Sequence, residues 1–141
     1  MGASLGGLAM LHAQRRYPAA FAGLFLQSGS FFIPRFDRQE SGFRRYLRIV
    51  RFIGKIHRAA DKRRLAGPAQ VPAHDKAPGV PTVLTCGLVE ENLHNNREMA
   101  ETLRRQGYPA TLAEVPDAHN YTGWRDAFDP YLTELLRHVW G

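Results

Sequence analysis

Short apolar runs alternate with helical patterns along the 141 residues of this chain. The apolar runs are bounded by Gly, Pro and polar residues, as buried strands are, and the helical patterns repeat apolar residues every three or four positions. An order of helix, strand, helix and strand is typical of a parallel sheet whose strands are joined by crossover helices. The alternation therefore predicts an α/β fold with strands at residues 23–27, 83–86 and 110–115, and with helices at residues 5–17, 92–106 and 122–140.

Length and composition indicate one globular domain over residues 1–141. Apolar residues make up 44% of the sequence and charged residues 23%, which is ordinary for a soluble domain. The sequence predicts no membrane-spanning helix, because it has no apolar run of about 18 or more residues. It also lacks the pattern of a secretory leader, which favours a cytoplasmic location unless the natural N-terminus lies further upstream. The single cysteine, Cys86, excludes an internal disulfide.

An irregular insert at about residues 31–76 separates the first two predicted strands, and a lid-like amphipathic helix is predicted at residues 43–56. Between Arg35 and Arg64 there are eleven Lys and Arg residues against three acidic ones, so the basic character of the chain belongs to this segment. The simpler interpretation is a solvated helical face that keeps an apolar stripe in water. The alternative is a binding module whose basic helix docks on an anionic membrane or on nucleic acid, and the localised charge argues against nucleic acid. Nothing in the sequence indicates an oligomeric state.

A serine flanked by glycines stands directly before the first predicted helix, in the run Gly2-Ala3-Ser4-Leu5-Gly6-Gly7. The run suits a nucleophile elbow, a tight turn from strand to helix in which side chains two positions before and after the serine would clash with their neighbours. The turn exposes the serine hydroxyl and directs the next amide, that of Leu5, toward a developing oxyanion. Alone, the run fits a glycine-rich loop that caps a helix equally well.

Polar residues follow the next two predicted strands along the chain. Glu90 and Glu91 come after the strand that ends at Gly87, and His119 follows the last strand. Each could be a surface residue if taken alone. Together with Ser4 they occur in the order serine, acid, histidine, at the carboxyl ends of strands, where open α/β sheets place their sites. This order predicts a triad in which His119 acts as general base for Ser4 and either glutamate orients the histidine.

Several segments match one known family. Six segments carry the match: the glycine-flanked serine run, Leu26-Gln27-Ser28-Gly29-Ser30-Phe31, Cys86-Gly87 with the acids after it, Gly107-Tyr108, Asp117-Ala118-His119-Asn120-Tyr121, and Trp124-Arg125-Asp126. On these residues the sequence resembles the enterochelin-esterase-like group of the α/β-hydrolases, also called the esterase D group. The resemblance covers nearly the whole chain apart from residues 33–75.

The resemblance implies hydrolysis of a carboxylic ester through an acyl-serine, without a metal ion or organic cofactor. Ser4 would be the nucleophile, His119 the base, and Glu90, which lies three residues after the glycine that ends its strand, the acid; Glu91 is the alternative. A related acyltransferase, in which an alcohol replaces water, is the alternative activity. The sequence does not specify the ester, but four aromatic residues flank the site and are candidates to line it: Phe31, Phe32, Tyr121 and Trp124.

The sequence departs from the pattern of this group in two places. Ala118 precedes the histidine, where glycine is more usual. Members of the group also place several strands and an oxyanion amide ahead of the elbow, so we expect residues 1–141 to be the C-terminal part of an α/β-hydrolase whose N-terminal strands are missing. The loss of one oxyanion donor would lower the rate on the order of 100-fold. If the insert acts as a lid, its arginines would admit an anionic ester, as the catecholate substrates of the group suggest.

Overall fold

The computed structural model describes residues 1–66 and 79–141, so most of the loop predicted at residues 67–81 lies outside the described residues. Its sheet has four parallel strands in the order β1 to β4, and their bounds are Gly2–Ala3, Leu24–Gln27, Thr82–Gly87 and Ala110–Val115. The α/β class with a parallel sheet and crossover helices is therefore confirmed. The prediction of three strands was wrong by one, because β1 has only two residues and is too short to show a pattern.

Five α-helices accompany the sheet in the described residues: α1 (Leu5–Arg16), α2 (Tyr46–Ala66), α3 (Leu93–Arg105), α4 (Tyr121–Asp126) and α5 (Thr133–Trp140). The long helix expected at the C-terminus is divided between α4 and α5 by an irregular π-type turn that contains Pro130, where the sequence predicted a break. Proline interrupts a helix because it has no backbone N–H and its ring crowds the preceding turn. None of the described helices is long and apolar enough to cross a membrane.

The core lies between the sheet and the helices α1, α2 and α3. All four residues of β2 are buried, as expected of a strand that is covered on both faces. Helix α1 contributes Leu11, and α3 contributes Met99 and Leu103, each without exposed surface. Complete burial of one such side chain stabilises the fold by roughly 1.5–3 kcal/mol.

Helix α2 differs from its prediction in both its bounds and its buried face. The sequence predicted residues 43–56, with Phe43 and Leu47 in the apolar stripe, whereas α2 ends at Ala66 and Leu47 is 67% exposed. The buried residues recur at three- and four-residue steps, and they are Tyr46, Ile49, Ile53, Ile56 and Ala60. The basic side chains between them are exposed, as on a solvated face: Arg48, Arg51, Lys55 and Arg58. Arg44 and Arg45, just before the helix, are exposed as well.

The parallel register brings the carboxyl ends of the strands to one edge of the sheet. Gly2 is paired with Leu26, Leu26 with Leu84, and Leu84 with Leu112. The loops after β1, β2, β3 and β4 therefore open at the same edge, which is where parallel α/β sheets place their sites. Ser4, Glu90 and His119 all lie at this edge.

Candidate active site

Ser4 occupies the turn between β1 and α1 with a strained backbone. Its φ of 54° and ψ of −123° lie in a region that residues other than glycine rarely adopt. Two backbone hydrogen bonds hold the turn to the end of β2 and to the loop after it: the Ser4 amide donates to the Gln27 carbonyl at 2.8 Å, and the Ser30 amide donates to the Ser4 carbonyl at 3.1 Å. Such strain persists only where neighbouring structure enforces it, and here it projects the serine side chain from the edge of the sheet.

The glycines around Ser4 have different roles. A Cβ on Gly2 would lie 2.4 Å from the Gly6 carbonyl oxygen, which no side chain tolerates. A Cβ on Gly7 would lie 3.2 Å from the Gly2 carbonyl oxygen and 3.4 Å from the Gly29 Cα, so Gly7 allows α1 to pack closely on the strands. A Cβ on Gly6 would meet no heavy atom of a neighbouring element within 4 Å. The prediction that a side chain two residues after the serine would clash is therefore wrong.

Leu5 begins α1, which leaves its amide among the N–H groups that have no partner within the helix. The positive end of the helix dipole lies at the same place. Leu5 lines the same cavity as Ser4. Leu5 is therefore placed to offer an N–H donor close to Ser4.

Glu90 and His119 are joined by a hydrogen bond of 2.7 Å between Glu90 Oε2 and His119 Nδ1. The Glu90 side chain is only 2% exposed, whereas that of His119 is 42% exposed, so a buried carboxylate holds a histidine that faces the solvent. The second carboxylate oxygen, Oε1, accepts hydrogen bonds from Ser28 Oγ at 2.7 Å and from the Gly87 amide at 2.8 Å. With Nδ1 bonded to the carboxylate, Nε2 is the ring nitrogen available to the serine.

Glu91, the alternative acid, points elsewhere. It is exposed, and its Oε2 accepts a hydrogen bond from Gln39 Nε2 at 3.0 Å. The structure thus brings Glu90, rather than Glu91, into contact with His119.

Ser28 and Trp124 support the acid and the histidine, and sequence reasoning assigned neither of them this role. Trp124 Nε1 donates to Ser28 Oγ at 3.1 Å, and Ser28 Oγ donates in turn to Glu90. The Trp124 ring also meets the His119 ring edge-on, with centroids 5.1 Å apart. Ser28 has a φ of 47°, and only its place in the Gln-Ser-Gly-Ser run marked it in the sequence.

Two asparagines of the α3 region fasten the loop after β2. Asn92 Nδ2 donates to the Ser28 carbonyl at 3.0 Å, and Asn96 bonds to both the amide and the carbonyl of Gly29, at 3.0 and 3.1 Å. Asn92 stands at the N-cap position of α3, but its side chain makes no capping hydrogen bond. The asparagine instead serves the loop that positions Ser28.

Ser4, Leu5, Glu90 and His119 line one cavity of about 320 Å³ at the carboxyl edge of the sheet. The Ser4 hydroxyl lies 3.3 Å from the Ser30 hydroxyl in the same cavity. Within the described part of the chain, no group of three or more His, Cys, Asp or Glu side chains is placed to hold a metal ion. The arrangement offers a hydroxyl, an oriented imidazole and a buried carboxylate, which are the groups used in nucleophilic acyl transfer.

The four aromatic residues that were candidates to line the site lie in three places. Phe32 lines the cavity of Ser4. Phe31 has no exposed surface and belongs to the core, packed beneath Gly29, so it is removed from the candidate lining. Tyr121 and Trp124 line a separate cavity of about 480 Å³ beside β1. Phe31 points to the core although its neighbour Phe32 lines the cavity, because successive side chains in an extended chain point in opposite directions.

Cys86 lies in β3 close to Glu90 and is predicted to be unreactive. Burial raises the pKa of the Cys86 thiol to about 12, and the negative charge of Glu90 acts in the same direction. The thiolate is the reactive form, so at pH 8 the folded chain should contain far less of it than the unfolded chain. We expect iodoacetamide at pH 8 to leave the native chain unmodified while it alkylates the chain in urea, as measured by intact mass. Rapid alkylation of the native chain would contradict this prediction.

The structure resembles several esterases of known structure. A ferulic acid esterase superposes with a TM-score of 0.70 at 20% identity, over 96% of this chain and 49% of that protein. The enterochelin esterase from Shigella flexneri gives 0.64 at 22% identity, over 99% of this chain and 30% of that protein. The S-formylglutathione hydrolase from Staphylococcus aureus gives 0.60 at 17% identity, over 96% of this chain and 49% of that protein. No protein-family model and no curated protein matches the sequence.

These likenesses establish a shared fold, and the prediction of an α/β-hydrolase fold is confirmed. The chain spans about half the length of two of these esterases and less than a third of the other.

Proposed function

We propose that this chain hydrolyses carboxylic esters through an acyl-serine intermediate, as the enterochelin-esterase-like resemblance implies. The observation that carries the proposal is the hydrogen bond between buried Glu90 and His119 in the cavity that contains Ser4. A buried carboxylate stabilises the imidazolium that forms when histidine accepts a proton, and it fixes the tautomer that leaves Nε2 free to act. The strained turn at Ser4 supports the same assignment, because strain of this kind clusters at active sites.

The groups have successive roles in the proposed reaction. His119 Nε2 takes the proton of the Ser4 hydroxyl as its oxygen attacks the ester carbonyl, and the Leu5 amide stabilises the tetrahedral oxyanion. The intermediate collapses when His119 protonates the leaving alcohol, which leaves an acyl group on Ser4. A water molecule, deprotonated by His119, then releases the carboxylic acid. An alcohol in place of that water would give the related acyltransferase, and product analysis with competing alcohols separates the two.

Ser4 hydrogen-bonds to Ser30 before the reaction, at 3.3 Å between the two hydroxyl oxygens. During attack the Ser4 hydroxyl must give its proton to His119, whether or not it keeps the contact with Ser30. Hydrogen bonds of catalytic groups are often loose before substrate binds and tighten in the complex.

A fluorophosphonate probe tests the proposal, because it reacts with activated serines and not with ordinary ones. We expect one adduct, located on Ser4 by peptide mass spectrometry, and none in the Ser4→Ala variant. The matched control is Ser41→Ala, since Ser41 is an exposed serine outside the cavity and its removal should leave the adduct in place. An adduct that survives Ser4→Ala would refute the nucleophile, and the complete absence of labelling would refute the serine mechanism.

A further inference from the structure

The cavity of Ser4 is lined by carboxylates and by no described Lys or Arg residue. Asp37, Glu40, Glu90 and Glu91 all contribute to its wall. Arg44 and Arg48, which the alternative interpretation as a cationic lid would place over an anionic ester, are exposed and do not line it. The charge at the site is therefore opposite to that expected of a lid for anionic esters.

The hydrogen-bond partners of Asp37 and Glu91 are neutral groups rather than cations. Asp37 is buried and accepts hydrogen bonds from the Ile33 amide at 2.6 Å and from Asn95 Nδ2 at 2.7 Å. Glu91 is bonded to the Gln39 amide group. Neither contact cancels the negative charge, and Glu90 is neutralised only when His119 carries a proton. Among the described residues Glu40 has no ion pair, so the cavity retains a negative field.

Aromatic rings face the same cavity beside the carboxylates. Phe32 and Phe43 both line it, with their ring centroids 6.3 Å apart, and Phe32 lies 5.7 Å from Tyr46. The negative field reaches this cluster: burial raises the pKa of the Tyr46 hydroxyl, and the charges of Asp37 and Glu40 raise it further. Carboxylates beside aromatic faces are the combination that binds ammonium groups, through Coulomb attraction and cation–π contact.

The position of His119 indicates which part of an ester occupies this space. His119 must lie next to the leaving alcohol in order to protonate it, and it shares the cavity with Glu40, Phe32 and Phe43. We propose that the site prefers esters whose alcohol carries an ammonium group, with Glu40 as the residue that selects for the charge. This inference rests on the proposed esterase function, because it assigns the substrate class of the same site.

Two esters of the same shape isolate the charge from the fit. Acetylcholine carries a positively charged quaternary nitrogen, and 3,3-dimethylbutyl acetate has a neutral quaternary carbon in the same position. We expect kcat/KM to be about tenfold higher for the cationic ester. A ratio of this size is what a cation–π contact together with a partly screened ionic attraction would give. The preference should shrink as salt is raised, because the partly buried charge of Glu40 is still reached by solvent, where charges are screened over about 8 Å at physiological ionic strength.

A charge-neutralising variant tests the assigned residue. Glu40→Gln should lower the ratio of the two kcat/KM values about fivefold, since it keeps the shape of the side chain and removes the charge. Glu134→Gln is the matched control, because Glu134 is an exposed glutamate of α5 outside the cavity, and the ratio should not change. A ratio that Glu40→Gln leaves unchanged would overturn the role of Glu40.

The failure of this inference is distinguishable from the failure of the esterase proposal. If both esters are hydrolysed through Ser4 and the cationic one has no advantage, the inference is overturned and the esterase function stands. If neither is hydrolysed and the fluorophosphonate finds no serine, the esterase proposal fails. Binding then tests the ammonium site by itself: tetramethylammonium should shift the NMR resonances of the Phe32 and Phe43 rings, less so in Glu40→Gln, and the absence of a shift would overturn that site.

Discussion

Replacing Glu90 with glutamine is expected to lower kcat/KM for ester hydrolysis by about 10³–10⁴-fold, or roughly 4–5.5 kcal/mol of transition-state stabilisation. The carboxylate accepts hydrogen bonds from Ser28 Oγ and the Gly87 amide on one oxygen and holds His119 on the other. A glutamine amide has one acceptor oxygen, and its NH₂ group can only donate. If the oxygen keeps the two donors, the NH₂ group faces Nδ1 and favours the tautomer in which Nε2 is protonated and cannot accept the serine proton.

The matched variant for this prediction is Glu91→Gln, which makes the same change one residue along the chain. Glu91 is exposed and bonded to Gln39, so we expect its replacement to change kcat/KM by less than about tenfold. The rate of fluorophosphonate labelling at Ser4 gives a second measurement that does not depend on the choice of ester. Equal losses in the two variants, or a larger loss in Glu91→Gln, would show that Glu90 is not the acid of the triad.

The arrangement of the strands and the place of the site could be predicted from local features. Buried strands and helices leave different periodicities, and parallel strands direct the loops after them to one edge of the sheet. Glu90 and His119 each follow a predicted strand, and the glycine-flanked run marked Ser4 as a nucleophile elbow before the first helix. These positions were enough to predict that the three residues lie together. The structure brings them to one cavity.

Two features of the fold were not predictable because their signals are weak or ambiguous. Strand β1 has two residues, fewer than any alternation needs to be recognised. The apolar residues of α2 fit more than one stripe: Phe43 and Leu47 continue a helical spacing as well as Ile49 and Ile56 do. Packing against α3 decided between the stripes, and a single sequence does not contain that contact.

The supporting residues of the site were missed for a different reason. Ser28 reaches Glu90 across 62 positions, and Trp124 reaches Ser28 across 96. Such contacts depend on where loops from different strands meet, and no periodicity or motif within either segment carries that information. The carboxylate lining of the cavity was hidden in the same way, because Asp37 and Glu40 lie in a segment whose composition is dominated by arginine.

Gly87→Ala is expected to disturb both the fold and the site, because Gly87 lies where the strand before Glu90 meets the loop before His119. A Cβ at this position would lie 2.0 Å from the Asp117 carbonyl oxygen and 2.9 Å from Glu90 Oε1. Backbone at Asp117 cannot yield without moving His119, two residues later. We expect unfolding in urea to show a loss of about 1–3 kcal/mol, as for other overpacked positions.

The same substitution should lower kcat/KM on the order of 100-fold, because a displacement of about 1 Å in a catalytic group has an effect of that size. Gly6→Ala is the contrasting variant: its Cβ meets no heavy atom within 4 Å, and Gly6 lies in the first turn of α1. Alanine is the better helix former, by about 0.8–1.0 kcal/mol in a helix interior and by less in the first turn, so this variant should be slightly more stable than the parent chain in the same urea titration. The two variants add one identical methyl group, and their effects have opposite signs because Gly87 is closely packed against backbone whereas Gly6 lies in a helix with open space beside it. Unfolding of Gly87→Ala at the same urea concentration as the parent chain would contradict this prediction. It would show that the loop carrying His119 can move away from β3 at little cost. Contacts other than those with β3 would then set the position of the histidine.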